Sequence, residues 1–176
     1  MTACRMGFGM QVDMARPKAP PNGLAMTHHF GALHDHALQL TFPGQPEQVR
    51  QALQDVLASP PLADLTQDIR GTAEIVLAEV FNNIVEHAYV EHGGNITLRL
   101  GRQDGVLLCE VSDTGAPMPG LCLPAGQFQP LEDLADLPEG GFGWYLIRSL
   151  TEGLTYRRLN GVNRLSFQLS AKQSGA

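Results

Sequence analysis

The stretch Arg164-Leu165-Ser166-Phe167-Gln168-Leu169 constrains the fold more than any other. Leu165, Phe167 and Leu169 point one way; Arg164, Ser166 and Gln168 point the other. A strand with one dry and one wet face belongs to an antiparallel-rich sheet covered by helices on one side only. The expected fold class is therefore an α/β (α+β) two-layer sandwich: a mixed, mostly antiparallel sheet with helices on one face. Asn160-Gly161, a favoured turn pair, joins this strand to its predecessor at Leu154 to Leu159 as a hairpin.

The other elements follow from periodicity. Leu38 to Phe42 alternates like a half-buried strand, closed by Pro43-Gly44. Pro46 opens a helix carrying Val49, Leu53, Val56 and Leu57, and Ser59-Pro60-Pro61 ends it. A long helix spans 65–89, strands follow at 96–100 and 106–112 around Gly105, and 141–151 reads as a helix opened by glycines. Between them, residues 113–140 hold five prolines and little period. A loop of that length inside a compact domain is usually functional.

Composition sets the outer bounds. The chain of 176 residues is 43% hydrophobic and 17% charged, which suits one folded domain. A net charge of −6 argues against a general nucleic-acid or anionic-membrane surface. No apolar run reaches the length of a membrane span, and the start lacks a signal-peptide pattern. Cys4, Cys109 and Cys122 are too scattered for a disulfide framework or a zinc site, and read as reduced thiols of a cytoplasmic protein.

Three domains of behaviour are expected: a flexible tail over 1–36, a folded domain over 37–171 and a short tail over 172–176. The first tail carries a breaker cluster, Arg16 to Gly23, and several methionines, of which Met26 is a plausible alternative start. His28, His29, His34 and His36 cluster there, either as a metal site or as a polar segment without oriented ligands.

Chemistry concentrates at three places. On the long helix, Ile69, Ala73, Val76, Leu77, Val80 and Ile84 form one apolar arc. Glu79, Asn83 and His87 stack beside it at i, i+4 spacing. The stripe is either a solvated helix edge or one wall of a ligand pocket between helix and sheet. Asp113 ends a strand with the parity of Leu107, Cys109 and Val111. It is either a turn Asp before Thr114-Gly115 or an acceptor for a planar amino group such as that of adenine. Glu139-Gly140-Gly141-Phe142-Gly143 opens a helix, as a hinge or as a phosphate cradle of free N–H groups. It is neither a P-loop nor a dinucleotide fingerprint. Arg50, on the first helix, is either a partner contact or a plain surface arginine.

Taken in order, these pieces resemble the GHKL ATPase superfamily of gyrase, the heat-shock chaperone, histidine kinases and mismatch-repair ATPases. Glu79 to Tyr89 looks like its N box, Asp113-Thr114-Gly115-Ala116-Pro117 its first glycine box, and Gly140-Gly141-Phe142-Gly143 its second. The pattern over roughly 38 to 170, closing on Tyr156-Arg157-Arg158 and Asn163, is similar to the anti-sigma factor serine kinases of bacterial partner switching. Pro117 stands where the wider superfamily often has a second glycine.

The resemblance implies an ATP- and Mg²⁺-dependent serine/threonine kinase. Glu79 would be the catalytic base and Asn83 the Mg²⁺ ligand. Asn83, His87, Asp113, Gly115, Gly141, Phe142 and Gly143 would bind the nucleotide under a lid of about 114–140. It also implies an anti-anti-sigma (STAS-type) protein as substrate, a sigma factor or equivalent target as sequestered partner, and a homodimer. The competing reading is a nucleotide-gated binding module that sequesters a partner without phosphotransfer.

Overall fold

The structure is a computed structural model that describes residues 38–126 and 142–170. The expected tails at 1–36 and 172–176, the four-histidine cluster, Gly141 and residues 127–140 of the expected lid lie outside the described residues.

Five strands form one sheet in the order β1-β2-β3-β5-β4. They are β1 (Leu38–Pro43), β2 (Asn95–Gln103), β3 (Val106–Asp113), β4 (Glu152–Leu159) and β5 (Val162–Ser170). All four pairings are antiparallel, so the mixed character expected of the sheet is absent among the described residues. Two of the four pairings are hairpins. Short turns at Asp104-Gly105 and Asn160-Gly161, all four residues at positive φ, reverse the chain within each hairpin.

The helices are α1 (Pro46–Leu57), the short α2 (Pro60–Ala63), α3 (Gln67–Asn83) and α4 (Phe142–Leu150). Pro60 does not merely end α1; it starts α2, where a missing N–H costs nothing at a first-turn position. The expected helix over 65–89 is α-helical only to Asn83. It then widens into a π-helical turn over Ile84–Ala88. The carbonyl of Ala88 accepts the N–H of Ala116 at 2.8 Å, so the loop after β3 is sewn to the end of this turn.

The core lies between the helices and one face of the sheet. Ile96, Leu98, Leu100, Leu107, Cys109, Val111, Leu165, Phe167 and Leu169 are buried from the strands; Ala73, Val76, Leu77 and Val80 are buried from α3. Phe81, absent from the expected arc, is fully buried and meets the edge of Phe42 at a ring separation of 5.1 Å. The opposite sheet face is polar. Thr41 and Thr97 share a hydrogen bond there, and Arg99 and Arg164 flank Glu110. No helix among the described residues is long and apolar enough to cross a membrane.

Candidate functional site

A cavity of about 420 Å³ opens between the helix layer and one end of the sheet. Its walls are Val80, Asn83, Ile84, His87 and Ala88 on one side, and Val111, Asp113, Asn163 and Leu165 on the other. The loop Ala116–Pro119 and Trp144 on α4 close it, with Tyr156 behind. Mostly apolar walls with a few convergent polar groups are the usual make-up of a small-molecule site.

Strand parity puts Asp113 here. It ends the series Leu107, Cys109, Val111 and is itself buried, as the alternation predicts. Its Oδ1 accepts the N–H of Gly115 at 2.8 Å and the Nδ2–H of Asn163 at 2.8 Å. Burial pushes its carboxyl above the usual carboxylate range; Asn163, Gly115 and the charge of Arg158 pull the other way without cancelling it. Both of these hydrogen bonds end on Oδ1, so Oδ2 keeps its capacity to accept from a group in the cavity.

Gly115 has a steric rather than a lining role. A Cβ there would collide with the carbonyl oxygen of Ala88. Only glycine allows the loop to approach the π-helical turn so closely.

Asn83 and Glu79 fall one helical turn apart. Asn83 Nδ2 donates to the Glu79 carbonyl at 2.6 Å, which leaves Oδ1 as the available acceptor. From α4, Gly143 comes close enough that a Cβ would stand 2.5 Å from Glu79 Oε2 and 3.5 Å from Asn83 Nδ2. Thus Glu79, Asn83 and Gly143, which are more than 60 positions apart in part, share one corner beside the cavity. His87 lies in the π-helical turn, out of α-helical register with Asn83, yet still faces the cavity. Phe142 opens α4 but is not among the cavity-lining residues; Trp144, two positions on, is.

Sequence reasoning gave no role to Tyr156, Arg158 and Asn163. The Asn163 side chain bonds to Tyr156, Arg158, Asp113 and Ala116, while the Met118 N–H donates to the Tyr156 hydroxyl at 3.1 Å. Together they tie the 113–118 loop to β4 and β5. The available signal was parity: Tyr156 and Arg158 alternate with exposed Thr155 and Arg157, and Asn163 shares the parity of Leu165.

Residues 42–169 match the family described as the histidine kinase-like ATPase domain. Among curated relatives, the serine-protein kinase RsbW of Bacillus cereus (strain ATCC 10987 / NRS 248) is 32% identical over 94 residues, covering 52% of this chain and 59% of the relative. RsbW of Bacillus mycoides (strain KBAB4) shows the same identity over the same length. The matched part spans somewhat over half the length of these relatives. A solved structure of RsbU and RsbW domains from Mycobacterium tuberculosis aligns with a TM-score of 0.48 at 16% identity, over 76% of this chain and 32% of that one.

Proposed function

The chain belongs to the histidine kinase-like ATPase family, and on that premise we propose that it is an ATP-dependent serine/threonine kinase of the partner-switching type. Its substrate is a small anti-anti-sigma protein, and its second partner is a sigma factor or an equivalent regulator. The similarity to RsbW serine-protein kinases supports this reading. The observation that carries it is the corner where Gly143 brings α4 against Glu79 and Asn83, next to a cavity floored by Asp113.

The residues fit Mg²⁺–ATP. Asp113, which lines the cavity, offers Oδ2 as an acceptor for an exocyclic amino group. Asn83 Oδ1 would offer Mg²⁺ one hard oxygen ligand, of the kind magnesium prefers alongside phosphate and water oxygens. Among the described residues no group of three or more His, Cys, Asp or Glu is placed to hold a metal ion. Gly143 leaves room where a side chain would press on Glu79.

When bound, Mg²⁺–ATP would supply the γ-phosphoryl group for the serine or threonine oxygen, with ADP as the leaving group. Glu79 takes the proton from that hydroxyl as the oxygen attacks. A positioned base of this kind is worth about 10²–10⁴-fold, and the rest is positioning and charge stabilisation.

Intact-mass spectrometry tests the reading. The full chain is mixed with Mg–ATP and the anti-anti-sigma protein encoded nearest to it. The unmutated protein adds one phosphate to the partner. Glu79→Gln slows that transfer by about 10²-fold or more while keeping ATP affinity within about threefold. Undiminished transfer in this variant removes Glu79 as the base. If the unmutated protein binds both nucleotide and partner yet transfers nothing, it is a nucleotide-gated binding module instead.

A further inference from the structure

Asn163 lies directly opposite Asp113 in the register of β3 and β5, and both are buried. Both ends of its amide are used. Oδ1 accepts the Tyr156 hydroxyl at 2.7 Å and Arg158 Nη1–H at 2.5 Å. Nδ2 donates to Asp113 Oδ1 at 2.8 Å and to the Ala116 carbonyl at 2.9 Å. An arginine can only donate and a carbonyl can only accept. Turning the amide round would set donor against donor and acceptor against acceptor, so chemistry fixes its orientation. The Gly115 N–H adds a second donor to the same Asp113 oxygen. Oδ1 of Asp113 is therefore committed to two N–H groups, and the remaining capacity of the carboxyl lies at Oδ2.

We propose that Asn163 is the positioning residue that sets the base specificity of this cavity, by committing one oxygen of Asp113 and leaving the other as the acceptor for a purine 6-amino group. A 6-oxo purine would place acceptor against acceptor there. The inference rests on the nucleotide-site reading above and adds the residue that decides which base enters.

It also assigns the consequence of protonation. Tyr156 from β4 and His87 from the π-helical turn line the same cavity as Asp113, Tyr89 follows that turn, and the charge of Arg158 from β4 acts on the carboxyl. Because Oδ1 faces two donors, a proton taken up by Asp113 sits on Oδ2. The acceptor becomes a donor, and the preference shifts toward the 6-oxo base.

Calorimetric titration of the full chain with Mg–ATP and Mg–ITP, at neutral and mildly acidic pH, tests this. The unmutated protein prefers ATP by about ten- to hundredfold, the value of a hydrogen bond to a charged partner set against a mismatch. That preference narrows in acid. Asn163→Asp keeps the shape but replaces the donor by an oxygen facing Asp113. It loses about tenfold or more in ATP affinity at neutral pH and regains it as pH falls, because one proton bridging the two carboxyls restores the bond to Oδ1. Its pH slope is thus opposite in sign to that of the unmutated protein, which loss of packing alone would not produce. Tyr156→Phe, a milder change that frees one contact to the amide oxygen, lowers the ATP-to-ITP ratio by about threefold.

A folded Asn163→Asp protein with the original ratio and the original slope overturns the inference. If circular dichroism shows that variant unfolded, an unchanged ratio in Tyr156→Phe overturns it instead. Failure of the unmutated protein to bind ATP overturns the nucleotide reading itself, a result separate from either.

Discussion

Strand β3 carries two buried carboxylates, Glu110 and Asp113, that face opposite sides of one sheet. They are about equally hidden, at 8% and 6% exposure. Their surroundings differ in kind. Glu110 sits on the polar, helix-free face between the charged ends of Arg99 at 3.6 Å and Arg164 at 3.8 Å, and both arginines are about half exposed. Asp113 sits on the helix side and is held by neutral N–H donors, with a raised pKa and one oxygen left over. Ion pairing satisfies a charge and ends its chemistry. Partial satisfaction by dipoles, beside a cavity, leaves a carboxylate something to bind. An offset of three residues along a strand separates scaffold from site here, because it changes the face.

The sharpest way to break this contrast is Asp113→Asn. Gly115 and Asn163 still demand an acceptor at one position, so the new amide nitrogen replaces Oδ2 and meets a 6-amino group donor to donor. ATP affinity is expected to fall by about a hundredfold in calorimetry, since a site built around a hydrogen bond strongly rejects its mismatch. The melting temperature is expected to hold or rise, because burial penalises the charged carboxyl. Retained ATP affinity would remove Asp113 from the site.

The pH dependence follows the same group. Only ionised Asp113 accepts at Oδ2, so ATP affinity declines as pH falls through its raised pKa, a higher pH than an ordinary carboxyl would give. For stability the sign is reversed. The folded state favours the neutral form, so this group's contribution is full below the unfolded pKa and is lost as pH rises through the folded one.

A smaller effect is expected from Gly115→Ala. The added methyl meets backbone rather than a movable side chain, and overpacking of this kind costs about 1–3 kcal/mol. Thermal unfolding should therefore begin several degrees lower. An unchanged melting temperature would mean that the loop and the π-helical turn are not held together as described.

The smallest effect belongs to Glu110→Gln. Pairs with half-exposed arginines are worth up to about 1 kcal/mol, and salt screens them. The stability difference should shrink in high salt and ATP affinity should stay within about twofold. A large change in nucleotide binding would show that the two faces are not separate.

Much of this was legible beforehand. Alternation in β5 and β3 gave the two-layer arrangement and the inward placement of Asp113, since parity survives whatever the strand pairs with. The α-helical spacing of Glu79 and Asn83 also held. It failed at His87, where the helix widens into a π-helical turn whose Ala88 carbonyl accepts from Ala116, a residue distant in sequence. Phe81 was missed for a related reason. It lies beside the expected arc, and it packs against Phe42 of β1, a contact that helical period alone does not show. Asn163 had no visible role until the register set it opposite Asp113. Local period shows which way a residue faces; only pairing shows what it faces.

Trp144 gives the cavity an optical consequence. It is the single tryptophan of the chain, and it stands in the cavity wall on the first turn of α4. All indole emission from this protein therefore originates at the place where a ligand would enter. A base placed against that ring would quench or shift the emission with no other tryptophan to dilute the signal, so occupancy can be followed by fluorescence in the native chain without a label.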